Sequence, residues 1–298
     1  MSAPVRPLEP AEILALAPAE LDALLDRLEA SVPRRPPIVA LPAGVADSAW
    51  VFGDSHGDWR STEEVVRRYR AGDHGLIGLG DYIDRAPADC GPGSTANALY
   101  LLGLTAADPE RVFLIQGNHE TTRRLAVLPH DLPRELERQW GPDPRRYDRL
   151  LALLERGPLA VSTANGAYLA HAGFPRGTLP TPWVDAFRHP DDARLSEIVW
   201  AECDASRVRR GAAPPWGARD LDRFLEQTGL AVVLRGHDPD LTGRPVYAAR
   251  CLTLHTCRFY ERYGGVIAAE LPLRTPLRSV AELKVDHLST EGRSFGAP

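Results

Sequence analysis

A chain of 298 residues with 44% hydrophobic and 25% charged residues has the composition of a soluble globular protein, and the length for one sizeable α/β domain or two smaller ones. Its net charge of −5 leaves no basic face for a nucleic-acid backbone. No apolar run reaches membrane-spanning length, and the Pro-rich, acidic N-terminus lacks the regions of a signal peptide, so a cytoplasmic location is expected.

Residues 1–37 are expected to form an N-terminal helical segment packed on the core. Leu14, Leu21, Leu24, Leu25 and Leu28 recur at helical spacing between Pro10 and Ser31, and Pro33-Arg34-Arg35-Pro36-Pro37 ends the helix. A strand over Ser48–Phe52 runs into Gly53-Asp54-Ser55-His56-Gly57-Asp58-Trp59. A helix follows, with Ser61 and Glu64 at capping-box spacing and Gly72 as its stop. The apolar run Leu76–Leu79 reads as a buried strand that stops at Gly80-Asp81-Tyr82-Ile83-Asp84-Arg85. Two carboxylates and a guanidinium leaving one strand end are costly unless opposite charge sits beside them, and a divalent metal is the simplest such charge.

After a Gly/Pro loop and a helix over Thr95–Leu104, the strand Val112–Ile115 ends at Gln116-Gly117-Asn118-His119-Glu120. Leu132–Leu154 is helical and arginine-rich, read as a solvated face. Ala167–Ala170 is a strand before His171-Ala172-Gly173. The chain is loop-like over Pro175–Pro190, and a helix over Arg219–Thr228 stops at Gly229. Ala231–Leu234 is a strand before Arg235-Gly236-His237, and Leu252–Leu254 and Gly265–Ala269 supply two last strands. Residues 38–273 are expected to be one catalytic domain and 274–298 a polar, poorly ordered tail. The repeated plan is a strand, a glycine turn carrying acid or histidine, then a helix, and ligand sites in such sheets gather at strand carboxyl ends. Cys90, Cys203, Cys251 and Cys257 form no C-x-x-C pair and read as reduced, structural thiols. Lys284 is the only lysine, so nearly all positive charge is arginine.

Taken together and in this order, Gly53-Asp54-Ser55-His56-Gly57, Gly80-Asp81-Tyr82-Ile83-Asp84-Arg85, Gly117-Asn118-His119-Glu120, His171-Ala172-Gly173 and Arg235-Gly236-His237 resemble the five signatures of the calcineurin-like metallophosphoesterases. More narrowly, they resemble the phosphoprotein phosphatases of the serine/threonine type. The resemblance implies an α/β fold of two mixed β-sheets packed as a sandwich with flanking helices, the metal site lying at strand carboxyl ends. It implies Asp54, His56 and Asp81 as ligands of one metal ion, and Asp81, Asn118, His171 and His237 as ligands of a second, with Asp81 shared. Two divalent ions are expected, with Mn favoured in vitro and Fe or Zn as alternatives. Ions sharing one carboxylate lie about 3.5–4 Å apart and lower the pKa of a shared water to roughly 7, so that it attacks phosphorus.

The same resemblance makes His119 the general acid, oriented by Asp84, and Arg85 a clamp on the phosphoryl oxygens. Arg210 is the expected second clamp, with its neighbour Arg209 the alternative. Tyr260 is carried over on position alone, against the reading of a packed aromatic. Asp58, Ala86, Gln116 and Ala172 depart from the usual residues, as do the insertion over residues 87–93 and the stretch at 255–259. These bear on substrate choice, since none removes a metal ligand. His74, His130, His189, His255 and His287 read as structural or surface residues.

The implied activity is phosphomonoester hydrolysis, with phosphoserine or phosphothreonine in proteins as the leading substrate and any regulatory partner open. Alternatives are a small phosphorylated metabolite or a diadenosine polyphosphate, and, in another class, a non-catalytic phosphopeptide-binding module. A nuclease is disfavoured because His237-Asp238-Pro239 offers no second histidine in that motif, and no membrane partner is expected.

Overall fold

A computed structural model describes residues 6–288 of the chain. The helical N-terminus is two helices, α1 (Pro10–Leu14) and α2 (Pro18–Ser31), where one was expected. Pro18 cannot continue α1 and instead opens α2, while the Glu20 side chain accepts from the Ala17 amide at 2.8 Å. Then follow β1 (Ile38–Leu41), β2 (Ser48–Phe52), α3 (Trp59–Tyr69), β3 (His74–Gly78), α4 (Gly93–Ala107), β4 (Val112–Leu114), α5 (Leu132–Trp140), α6 (Pro144–Leu154), β5 (Ala160–Thr163) and β6 (Ala167–Ala170). The last elements are α7 (Asp192–Val199), α8 (Ala218–Thr228), β7 (Val232–Arg235), β8 (Cys251–Thr253), β9 (Ile267–Pro272) and β10 (Lys284–His287).

The strands form two five-stranded mixed sheets, ordered β10-β9-β2-β3-β4 and β1-β5-β6-β7-β8. Strands β2, β3 and β4 run parallel, as do β6, β7 and β8. One apolar layer joins the two sheets, drawing Val51, Ile77 and Phe113 from the first and Leu169, Leu234 and Leu252 from the second. On the outer face of the first sheet, Trp50, Phe52, Leu76 and Leu114 pack with buried residues of α1 to α6. On the outer face of the second, Tyr168 and Val233 pack with Leu195 of α7 and Phe224 of α8. Apolar cover on both faces explains why these strands read as continuous apolar runs.

Three expectations are corrected here. The cap of α3 is Asp58, whose carboxylate accepts from Ser61 N and Ser61 Oγ, so that Ser61 lies inside the helix. The arginine-rich face of α6 is not a free solvated surface: Arg146 grips Asp22 of α2 two-pronged at 2.8 and 2.9 Å, and Arg149 donates to Glu29 at 2.7 Å. Residues 274–288 are not a loose tail, because β10 pairs antiparallel with β9, and Val280 N donates to Ala249 O at 2.8 Å. Residues 289–298 of that expected tail lie outside the described residues. All four cysteines are buried free thiols.

Candidate metal centre and phosphoester site

Every residue expected to hold a metal follows the carboxyl end of one of the parallel strands. Asp54 and His56 follow β2, Asp81 follows β3, Asn118 follows β4, His171 follows β6 and His237 follows β7. The turns that aim them are tight. His56, Asp81, Asp84, Arg85 and His237 all have positive φ, between 40° and 69°, a region non-glycine residues rarely occupy. Such strain persists only where the surroundings over-determine it, and it concentrates at functional sites. Two glycines make room for the carboxylates: a Cβ on Gly117 would lie 2.3 Å from Asp81 Oδ1, and one on Gly236 would lie 2.1 Å from Asp54 Oδ1.

The four side chains expected around the second ion meet. His171 Nε2 lies 2.9 Å from Asn118 Oδ1, 3.2 Å from His237 Nδ1 and 3.5 Å from Asp81 Oδ2. His237 Nδ1 is 3.1 Å from Asn118 Oδ1. His171 Nδ1 faces the Leu79 carbonyl at 2.9 Å, which can only accept, so the ring proton sits there and Nε2 turns a lone pair inward. A cation among the imidazole nitrogens, the amide oxygen and the carboxylate oxygen would take them all as ligands. The spacings are those of ligand atoms that share one ion at roughly 2.0–2.2 Å each.

The other end is built the same way. His56 Nδ1 donates to the Ile83 carbonyl at 2.9 Å, leaving Nε2 3.6 Å from Asp81 Oδ2 and 3.9 Å from Asp54 Oδ2. A ring held by its far N–H on a backbone carbonyl is the usual arrangement for a metal-ligating histidine. Asp54 and Asp81 are each only 2% exposed. Burial opposes their ionisation, yet the imidazoles of His255, His171 and His56 hold Asp54 well below the usual carboxylate range. Burial pushes His56 down to about 4, and it lowers His237 well below the usual value, with Arg210 adding to the effect. These histidines are therefore neutral donors at pH 7. Oxygen and imidazole donors in this mixture suit Mn, Fe or Zn.

His119 stands beside this cluster. Its amide donates to Asp81 Oδ1 at 3.0 Å, its Nδ1 bonds Asp84 Oδ2 at 2.5 Å, and its buried Nε2 has no hydrogen-bond partner among the described residues. Burial would lower its pKa, but the Asp81 and Asp84 carboxylates win and raise it. Asp84 is held by more than His119: the amides of Asp131 and Leu132 donate to Oδ1 at 2.6 and 3.0 Å, and His130 Nδ1 donates to Oδ2 at 2.8 Å. His130, read from the sequence as structural or surface, is thus a partner of the site. Nothing around it in the chain carries a signal of this.

Arg85 and Arg210 line one cavity of about 490 Å³, together with Leu125, Leu128, Ser196 and Trp200. Arg85 Nη1 lies 3.4 Å from His56 Nε2, and Arg210 Nη1 lies 3.1 Å from His237 Nε2, so each guanidinium stands at one end of the ligand cluster. Arg209 instead donates to the backbone carbonyls of Cys203, Asp204 and Val208. Tyr260 sits at the site, its Oη accepting from Arg85 Nη1 at 3.0 Å and its ring 5.6 Å from that of His56.

Two of the departures prove to be tied into the fold around the site. Asp58 meets Arg258, in the altered stretch, at 2.7 Å with both groups buried. Gln116 donates to the Glu155 carbonyl at 3.2 Å and also to that of Gly157, tying the β4 turn to the end of α6. His255, read with the structural histidines, is fully buried with Nε2 3.2 Å from Asp54 Oδ2. The sequence does hold a signal for it, since it closely follows a readable strand as the metal-ligand candidates do.

Among known proteins, the chain is 26% identical over 226 residues to a probable serine/threonine-protein phosphatase of Encephalitozoon cuniculi, covering 72% of this chain and 48% of that one. It is 26% identical over 256 residues to a PP2A-like serine/threonine-protein phosphatase of Candida albicans, covering 82% and 59%. The chain therefore spans about half to three fifths of the length of these relatives. A solved serine/threonine phosphatase of Saccharomyces cerevisiae superposes with a TM-score of 0.75 at 20% identity, over 94% of this chain and 92% of that one, and shows the same fold. The calcineurin-like phosphoesterase profile matches residues 48–241. The chain belongs to the calcineurin-like phosphoesterase family, which uses a dinuclear metal centre that this His/Asp cluster fits.

Proposed function

We propose that this chain is a metal-dependent phosphomonoesterase that removes phosphate from phosphoserine or phosphothreonine in proteins. The observation that carries the reading is that Arg85 and Arg210 face one cavity from opposite ends of the converged ligand cluster. Two guanidiniums there can each grip a phosphoryl oxygen pair, while the cluster between them faces phosphorus. The names of the relatives, serine/threonine phosphatases, support the substrate class.

Asp54, His56 and Asp81 would hold one ion, and Asp81, Asn118, His171 and His237 the other. When bound, such ions supply Lewis acidity and a nucleophile at neutral pH. The protein's own residues do the rest. Arg85 and Arg210 orient the phosphoryl group, and Tyr260 fixes Arg85 by accepting from it. His119 delivers its Nε2 proton to the departing alkoxide, and Asp84 holds the ring by Nδ1 so that Nε2 is left on the side of Asp81.

The test is a substrate panel on Mn-loaded protein: phosphoserine and phosphothreonine peptides, p-nitrophenyl phosphate and dinucleotide polyphosphates. Phosphopeptide turnover well above that of the dinucleotides is expected. The reverse order would replace the protein-phosphatase reading, and no hydrolysis of any of them would end the enzymatic one.

A further inference from the structure

We propose that His255 is an additional ligand, through Nε2, of the ion held by Asp54, His56 and Asp81. The proposal rests on the metal-centre reading above and adds a residue to it. His255 follows β8, so it extends the pattern of side chains delivered from parallel strand ends by one strand. Its position is set by backbone bonds rather than by chance packing. Asp54 and His255 form a parallel bridge, Thr256 N donates to Asp54 O at 3.0 Å, and Ile267 N donates to His255 O at 2.9 Å. Gly53 permits this approach, since a Cβ there would lie 1.8 Å from Leu254 O.

The ring's tautomer follows from its far side. Thr242 Oγ1 gives its one proton to the Pro239 carbonyl at 2.7 Å, so toward His255 Nδ1, 3.0 Å away, it can only accept. A proton is therefore fixed on Nδ1, and Nε2 is the ring atom turned toward Asp54 Oδ2. That nitrogen is buried, 3.2 Å from the carboxylate oxygen, and makes no hydrogen bond among the described residues. A cation placed between Nε2 and the Asp54 carboxylate would take both as ligands. The same logic, an Nδ1–H on a fixed acceptor and Nε2 turned inward, places His56 and His171. An added imidazole at this end would hold its ion more tightly and favour Fe, Co or Zn over Mg, because nitrogen donors suit those metals.

The test uses Co(II)-loaded protein and its His255→Gln and His255→Ala variants, with binding measured by calorimetry and the bound metal by its visible spectrum and paramagnetic proton NMR. In the unmutated protein an exchangeable, strongly shifted ring N–H from His255 should accompany those of the three other ligating histidines, and its count needs no variant to fold. In both variants one of the two Co(II) ions should bind more than about 100-fold more weakly, beyond the 10–100-fold that loss of a ligand's hydrogen-bonding partner costs. The His255 signal should vanish while the others stay. Two equivalents bound with unchanged spectrum, or a smaller loss with no His255 signal in the unmutated protein, would overturn the proposal and leave His255 as a protonated partner of Asp54. Failure of the unmutated protein to bind two ions would instead count against the dinuclear reading itself.

Discussion

The two sheets bring different chemistry to the site. From the first come Asp54, His56, Asp81 and Asn118, on turns after β2, β3 and β4, so this half brings both carboxylates of the expected ligand set, each of them buried. From the second come imidazoles, His171, His237 and His255, after β6, β7 and β8. A buried carboxylate is costly without opposite charge, whereas a neutral imidazole is not. On the proposed ligand set, the first sheet makes the site need cations, and the second shapes how many donors each cation would find. The site lies where the two sheets' strand ends face each other, so neither half could be a site alone.

That division can be broken most decisively at Asp81, which reaches both clusters. Asp81→Asn should lower turnover by on the order of 10³-fold or more, the scale on which electrostatic stabilisation of a transition state is lost. It should also lower the occupancy of both ions, whereas His171→Ala, from the other sheet, should empty only one. Thermal unfolding of metal-free Asp81→Asn should show that the chain still folds, because the amide oxygen of Asn can still accept from the His119 amide. Metal analysis beside turnover decides it; two retained ions with near-normal turnover would show that Asp81 is not shared.

A smaller effect separates proton delivery from metal holding. His119→Asn should cost about 10²–10⁴-fold in kcat on phosphoserine peptides while both ions stay bound. On p-nitrophenyl phosphate, whose leaving group departs without a proton, the loss should be much smaller. Equal losses on the two substrates would remove His119 from the acid's role.

The first sheet's half of this picture is the more legible in the sequence. Its carboxylates sit in dense glycine-flanked motifs directly after strands β2, β3 and β4, and local spacing is enough to read them. His171 and His237 are readable for the same reason. His255 does not stand out with them although a strand precedes it, because the stretch from 255 to 259 departs from the expected pattern. What makes it part of the site is Asp54, about two hundred residues upstream, and the direction of one proton at Thr242 that only the folded chain reveals. The face of α6 escapes sequence reading for a kindred reason: Arg146 and Arg149 look solvated until α2 brings Asp22 and Glu29 against them. Strand β10 is hidden because Lys284–His287 is polar and an edge strand needs little apolar surface.

The smallest effect tests the one carboxylate of the first sheet's loops that answers to histidines rather than to ions. Asp84 is buried, which would raise its pKa, but hydrogen bonds from His119 and His130 hold it below the usual carboxylate range. A folded pKa below the unfolded value of about 3.9 means stability that is complete above that value and is lost as pH falls through the folded one. Asp84→Asn keeps an oxygen for the Asp131 and Leu132 amides but not the charge. It should destabilise the protein by about 2 kcal/mol at pH 6, the scale of hydrogen bonds to a charged group. Urea unfolding of parent and variant from pH 6, below the unfolded histidine value of about 6.5, to pH 3 should give a gap that is constant down to about pH 5 and narrows below about pH 4. A gap that stayed level to pH 3 would mean that Asp84 owes its place to shape alone, and a gap that widened would mean that its partners bind the neutral acid better than the carboxylate.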